Sequence, residues 1–193
     1  MPTLIPLFLP TAAELAEIDF SGVVMATLLW LFLLNIFGGN QAISNPDVSN
    51  PSARFDYSNA TWALADRTFL NLAEQTPAFL ITLWLHAIFC DADLSAQLGL
   101  VCVLARSLYP ILRAVYFFLM ELSTLPYYVC IYTMALNLWS KILTGELVTD
   151  SKSKTMLVVM AFGYYMSPIP FAFGLKALVS KCTANTSNGK KTN

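Results

Sequence analysis

Long uncharged runs, separated by short polar stretches, set the hydrophobic pattern of this chain. The first run, from Phe20 to Phe37, is long enough to cross a hydrocarbon core of about 30 Å as one helix. A loop rich in Asn-Pro and serine follows it, over residues 40–58, and Cys90 to Asp93 predicts a tight connection further along. Three more helices are predicted, over about 58–89, 94–119 and 125–143.

Prolines mark two of these helices. Pro77 lies inside the second, where it removes a backbone hydrogen bond and predicts a kink. Pro126 is predicted in the first turn of the fourth, where a missing N–H is tolerated. A polar break over Glu121 to Thr124 is predicted between the third and fourth helices.

The C-terminal part of the chain is less regular. A fifth apolar run, Met156 to Val179, is interrupted by Ser167-Pro-Ile-Pro170 and fits an added crossing, a re-entrant segment or a surface-lying helix. The polar tail over 181–193 is predicted to be disordered. We therefore predict an all-α integral membrane bundle of four transmembrane helices plus a fifth apolar segment, forming one domain over residues 1–180.

Composition agrees with a membrane protein and excludes other classes. Hydrophobic residues make up 56% of the chain and charged residues 12%, far from the balance of a soluble domain. The formal net charge is −1 and Lys190-Lys191 is the largest basic block, so a nucleic-acid partner is not predicted. The four cysteines form no Cys-x-x-Cys or Cys/His cluster, so no metal site is predicted. The expected partners are membrane lipids and lipophilic small molecules.

Polar side chains interrupt the second and third helices near one end of each. Arg67, Asn71 and Glu74 stand at i, i+4 and i+7, which places them on one helix face. Because the two helices are antiparallel through a short connection, their polar faces are predicted to converge at one membrane boundary. Charged residues there are costly unless they have a partner or a function. The stripe on the third helix comprises Arg106, Tyr109, Arg113 and Tyr116.

The motif Arg67-x3-Asn71-x2-Glu74 on the second helix, joined to Ala-Arg106-x2-Tyr109 near the end of the third, resembles the MAPEG family. That family comprises the membrane-associated proteins of eicosanoid and glutathione metabolism, among them microsomal glutathione transferases, leukotriene C4 synthase and the five-lipoxygenase-activating protein. The resemblance implies a homotrimer in the endoplasmic reticulum or another internal membrane. It also implies that glutathione, as co-substrate, binds between neighbouring subunits near the cytosolic face.

The resemblance covers about residues 20–143, and the chemistry of the residues agrees with it. Glutathione presents two carboxylates, an ammonium group and a thiol. The forked guanidinium groups of Arg67, Arg106 and Arg113 suit the carboxylates, and Glu74 suits the ammonium. Asn71 can orient either end, and Tyr109 can donate to a carboxylate or a thiolate. The alternative is that Arg67 and Glu74 pair with each other or with Arg106 and only tie helices together.

The sequence departs from the family at the start of the fourth helix. Active members carry an arginine there that stabilises the thiolate, whereas Met120 to Pro126 contains none. Ser123 or Thr124 can donate a hydrogen bond to sulfur, but a neutral hydroxyl stabilises a thiolate less than a guanidinium does. Tyr109 and Arg113 are therefore the candidate catalytic residues.

Two further polar residues, Arg113 on the third helix and His86 on the second, each admit a structural role. Arg113 stands where the leukotriene synthase pattern has a tyrosine, so it is either a site residue or a boundary residue that reaches lipid phosphates. His86, far along the second helix, is interpreted as an interface residue rather than a ligand or a base.

Two function classes therefore remain open. One is an enzyme that conjugates or reduces lipophilic electrophiles or lipid hydroperoxides with glutathione. The other is a non-catalytic lipid-binding or scaffold protein of the same fold. Basic residues place the long loop on the cytosolic side by a small margin, so both stripes are predicted to open toward the cytosol. With five crossings, the basic residues on that side are Arg54, Arg67, Arg113, Lys181, Lys190 and Lys191.

Overall fold

The computed structural model describes residues 10–45, 49, 57–145, 155, 159 and 163, and over these ranges every regular element is a helix. The predicted all-α membrane bundle is confirmed. The polar tail and all but two residues of the fifth apolar run lie outside the described residues. Within residues 10–45 and 57–145 there is a short helix, α1 at Ala12–Glu17, and a 3-10 helix at Phe117–Met120. The four long helices of these ranges are α2 at Ser21–Ser44, α3 at Ala60–Phe89, α4 at Ala92–Val115 and α5 at Glu121–Thr144.

Side-chain caps fix where α3 and α4 begin. The Asn59 side chain accepts hydrogen bonds from the backbone N–H groups of Thr61 and Trp62, which lack helical partners at the start of α3. Asp91 does the same for Leu94 at the start of α4. The predicted second helix is therefore confirmed at both ends, and it runs without a break through Pro77. The tight connection before α4 is also confirmed.

The junction between α4 and α5 differs from the prediction. Tyr116 is extended, with φ −161° and ψ 134°, so α4 ends at Val115 and Tyr116 leaves the polar face of the helix. The predicted polar break at Glu121 is wrong, because α5 begins there, directly after the 3-10 helix. Glu121 suits a first turn, since a carboxylate is favourable at the positive end of the helix dipole. Pro126 consequently lies in the second turn of α5, not the first.

Small residues and aromatic rings hold the long helices together. A Cβ added at Gly99 of α4 would lie 2.9 Å from Leu83 and 3.0 Å from Ala26, so three helices meet closely at this glycine. Trp30 of α2 stacks on Phe79 of α3 with ring centroids 4.0 Å apart. The buried core lies between α2, α3, α4 and α5.

Large apolar side chains cover the outside of the bundle. Phe32 on α2 is 63% exposed and Leu104 on α4 is 66% exposed, which a protein in water would avoid over so wide a surface. Within the described residues, α2 and α4 are both long and apolar enough to cross a membrane. The outer face of the bundle is therefore a lipid-facing surface, and the polar residues of α3 and α4 are placed at one end of it.

Candidate functional site

A cavity of about 330 Å³ lies where the first half of α3 meets the end of α4 and the 3-10 helix. The antiparallel arrangement of α3 and α4 brings the two polar faces together there, as predicted. Of the six predicted site residues, all except Arg106 line this cavity; their binding and catalytic roles remain predictions. The lining residues are Arg67, Leu70, Asn71, Glu74, Tyr109, Arg113 and Met120.

The charged groups of the cavity are not neutralised by one another. Arg67 and Glu74 are exposed on the protomer, and Arg113 is half-buried. Among the residues that the structure describes, no ion pair joins either guanidinium group to the Glu74 carboxylate. The Arg67–Glu74 pair that we considered as structural glue is therefore absent from this part of the chain. Two cations and one anion are left facing the same cavity.

Arg113 and Tyr109 form a hydrogen-bonded pair on the α4 side of the cavity. Nη1 of Arg113 donates to the hydroxyl oxygen of Tyr109 over 3.0 Å. A phenol oxygen that accepts a hydrogen bond still has its own proton to donate. Tyr109 is only 5% exposed, so its ring is fixed by packing while its hydroxyl group meets Arg113. The pair can present one O–H donor, backed by a cation, to a group bound in the cavity.

Arg106 lies in the bundle interior and not on the cavity wall, whereas the sequence predicted it in one polar stripe with Tyr109 and Arg113. Its side chain is 1% exposed and its guanidinium carbon lies 4.2 Å from the ring centroid of Tyr127. Nη1 donates to Oγ1 of Thr124 over 3.4 Å, and within the described ranges Nε and Nη2 have no hydrogen-bond partner. Residues 106 and 109 are about 60° apart around a helix, which is enough to turn one toward α5 and the other toward the cavity.

The hydroxyl groups at the start of α5 are also turned away from the cavity. Ser123 is fully buried, and Thr124 accepts the hydrogen bond from Arg106. Neither belongs to the cavity lining, and their role as donors to sulfur remains a prediction. Met120 faces the cavity from this side instead. Sequence reasoning missed Met120 because an apolar residue in an apolar run carries no signal, whereas Leu70 could have been found from its spacing of three from Arg67.

A buried carboxylate behind Arg67 was also missed. Asp66 is 1% exposed and accepts two hydrogen bonds of 2.7 Å, one from Nε2 of Gln41 and one from the hydroxyl group of Tyr57. The guanidinium carbon of Arg67 lies 5.6 Å from the ring centroid of Tyr57. The end of α2 and the residues before α3 are thereby linked to the cavity. We call Gln41, Tyr57 and Asp66 the Asp66 cluster.

A second polar cluster lies at the other end of the same helices. Nδ1 of His86 lies 2.6 Å from Oγ of Ser95, and Nδ2 of Asn137 lies 3.2 Å from Nε2 of His86. The Ser95 hydroxyl group donates to the backbone carbonyl of Asp91, so His86 must donate to it through Nδ1 and accept from Asn137 through Nε2. His86 is therefore a neutral residue at the interface of α3, α4 and α5. We call His86, Ser95 and Asn137 the His86 cluster.

Fold and cavity together define a class, that of helical membrane proteins with a charged cavity at one end of the bundle. Comparison with protein families gives the particular group. The chain belongs to the MAPEG family, whose model matches residues 20–139. The matched range includes every residue that lines the cavity. No curated protein and no solved structure matches the chain.

Proposed function

We propose that this protein binds glutathione in the cavity between α3 and α4 and uses it to conjugate or reduce lipophilic electrophiles or lipid hydroperoxides. The observation that carries the proposal is that Arg67, Arg113 and Glu74 open onto one cavity without pairing with one another in the described part of the chain. Membership of a family named for eicosanoid and glutathione metabolism supports it.

The charges of the cavity complement those of glutathione. Two guanidinium groups match two carboxylates, since forked N–H groups bind carboxylates through paired hydrogen bonds. Glu74 matches the ammonium group, and Asn71 can donate to one end and accept from the other. A volume of about 330 Å³ is at the small end for a ligand pocket. Because Arg67 and Glu74 are exposed on the protomer, we propose that a neighbouring subunit of a homotrimer completes the site.

Tyr109 and Arg113 are the proposed catalytic residues. Arg113 holds the Tyr109 oxygen, which leaves the Tyr109 proton to donate to the glutathione sulfur and favours its thiolate form. The thiol proton passes to bulk water, and the thiolate then attacks the electrophile, so that a carbon–sulfur bond forms and the leaving group departs with its electron pair. The exposed apolar surface beside the cavity gives a lipophilic substrate access from the bilayer of an internal membrane.

The test is glutathione binding by the purified protein in detergent or nanodiscs, measured by calorimetry. Removing one charged hydrogen-bonding partner costs about 1.5–3 kcal/mol, so Arg67→Ala is expected to weaken binding about 10- to 100-fold. Lys141→Ala, a change of the same type near the C-terminal end of α5, is the control and should leave affinity unchanged. Wild-type protein that shows no glutathione affinity would exclude the proposed function.

A second candidate function is supported by the apolar residue at the start of α5. Met120 faces the cavity where an arginine would stabilise a thiolate, which favours a non-catalytic lipid-binding or scaffold protein of the same fold. Turnover separates the two candidates. Protein that binds glutathione but converts neither an aryl halide nor a lipid hydroperoxide would be the non-catalytic form.

A further inference from the structure

The Asp66 carboxylate is next to Arg67 in the chain but makes its contacts elsewhere. Both of its oxygens are used by neutral donors, Oδ1 by Gln41 and Oδ2 by Tyr57, each over 2.7 Å. Successive helix residues are about 100° apart, which here leaves Asp66 buried and Arg67 exposed on the cavity side. A buried carboxylate without such donors would attract the nearest cation. The two neutral donors therefore leave the guanidinium group of Arg67 free of its neighbour.

Tyr57 connects this buried anion to the cavity cation. Its hydroxyl group donates to Asp66, and its ring lies under the guanidinium group of Arg67, with 5.6 Å between the guanidinium carbon and the ring centroid. That distance is within the range of about 6 Å for a cation–π contact. The contact holds a cation by the face of a ring without cancelling its charge, so the N–H groups of Arg67 stay available to a ligand.

We infer that Tyr57 and Asp66 are positioning residues that hold Arg67 toward the cavity and reserve its charge for a carboxylate of the ligand. Asp66 fixes the Tyr57 ring, and the ring fixes the guanidinium group. Gln41 occupies the other oxygen of Asp66 and so ties this arrangement to the end of α2. The identity of the anion as a glutathione carboxylate rests on the proposed function; the placement of Arg67 does not.

The first experiment compares glutathione with its diethyl ester, in which both carboxylates are neutral, for the wild type, Tyr57→Phe and Arg67→Ala. Tyr57→Phe keeps the ring and removes the hydroxyl group that holds it to Asp66. We expect glutathione affinity to fall about three- to tenfold while affinity for the diester is unchanged. In the Arg67→Ala background the same change should have no further effect. Equal losses for both ligands, or additive losses in the double variant, would overturn the inference.

The second experiment needs no bound ligand. Phenylglyoxal modifies accessible arginines, and the extent at Arg67 and Arg113 can be followed by peptide mass spectrometry on the full chain. If Tyr57→Phe frees an Asp66 oxygen to draw in Arg67, modification of Arg67 should slow about threefold while Arg113 is unaffected. Tyr116→Phe, the same change at an exposed tyrosine at the end of α4, is the control. An unchanged rate at Arg67 would refute the positioning role.

The two experiments separate failure of the inference from failure of the proposed function. A wild type without glutathione affinity removes the proposed function, and the phenylglyoxal rates still decide whether Tyr57 positions Arg67. If the wild type binds glutathione and Tyr57→Phe changes neither the affinity nor the modification of Arg67, the inference is wrong while the proposed function stands. Both experiments use Tyr57→Phe and not a change at Asp66, because Tyr57→Phe retains the buried carboxylate and its hydrogen bond from Gln41.

Discussion

The cavity and the His86 cluster use the same helices in opposite ways. About 15 residues of α3 separate Asn71 from His86, or roughly 22 Å along the helix. At the His86 end, three buried side chains form one directed chain of hydrogen bonds, ending on the carbonyl of Asp91, and the histidine is neutral. At the cavity end, charged side chains face open space.

The difference shows what decides the role of a polar residue in a membrane bundle. An ionisable residue inside a membrane is a functional candidate by default, because it is costly to place there. His86 offsets that cost through Ser95 and Asn137 and joins three helices, whereas Arg67 and Glu74 do not offset it with each other. Partners within the protomer, and not the residue type, distinguish the two ends. Stability is expected to depend on one cluster and ligand binding on the other.

The largest expected effect is on stability, at the His86 cluster. His86→Leu leaves the Asn137 amide, and one acceptor site on Ser95, buried without partners, so we expect a loss of about 2–4 kcal/mol in the free energy of unfolding. Glutathione affinity of the folded fraction should not change. Thermal unfolding in detergent measures the first quantity and calorimetry the second. A His86→Leu variant as stable as the wild type would contradict the claim that stability depends on the His86 cluster.

A change at Glu74 is expected to have the reverse effect, lowering glutathione affinity and not stability. Glu74→Gln keeps the shape of the side chain and removes its charge, so we expect glutathione affinity to fall by about 1.5–3 kcal/mol. Because no ion pair to Glu74 occurs among the described residues, unfolding should be little affected. Asn137→Leu provides the opposite pattern, with lower stability and unchanged affinity. A Glu74→Gln variant that loses stability instead would restore the structural interpretation of this carboxylate.

Tyr109→Phe tests the catalytic half of the cavity. It removes the hydroxyl group that Arg113 holds, and with it the proposed donor to sulfur, so we expect kcat to fall about tenfold, or about 1.4 kcal/mol. The KM for glutathione should change little, since Arg67 and Glu74 are the residues proposed to hold its charged ends. Stopped-flow absorbance of the thiolate gives an independent measurement. Unchanged kcat would leave Arg113 as the thiolate-stabilising group.

The smallest expected effect is an increase in turnover. Met120 faces the cavity from just before α5, so Met120→Arg should add a cation near the sulfur and raise turnover about two- to fivefold, roughly 0.5–1 kcal/mol. Ser123→Arg is the contrasting variant. Ser123 is fully buried, so an arginine there would be an unpaired internal charge and should prevent folding. If Met120→Arg binds glutathione normally and gains nothing, a missing guanidinium is not what limits the reaction.

The four long helices and the convergence of the polar faces followed from the sequence because both depend on local rules. Helix spacing places Arg67, Asn71 and Glu74 together, and a short connection makes α3 and α4 antiparallel. The end of α4 did not follow, because the apolar run continues through Phe117–Met120 while the backbone turns at Tyr116. Hydropathy does not register a change of backbone conformation within an apolar stretch.

The remaining misses concern contacts between residues distant in sequence. Arg106 shares a helix face with Tyr109, but the rings of α5 turn its guanidinium group inward. Asp66 lies next to the motif, but its buried position was not predicted. Its partners Gln41 and Tyr57 come from the end of α2 and from a stretch interpreted as a loop. Spacing gives the face of a helix, and the packing of the other helices decides which residues of that face meet a ligand.

The short 3-10 helix at Phe117–Met120 gives the cavity two walls of unequal stiffness. Arg67, Asn71 and Glu74 stand on a helix of 30 residues, whereas Met120 belongs to a four-residue element of a kind with poorer hydrogen-bond geometry. In the proposed reaction, the thiol co-substrate is the same in every turnover, whereas its lipophilic partners differ in size and shape. A stiff polar wall and a compliant apolar wall suit that division, so substrate breadth in this protein is expected to vary with residues 117–120 while thiol recognition stays constant.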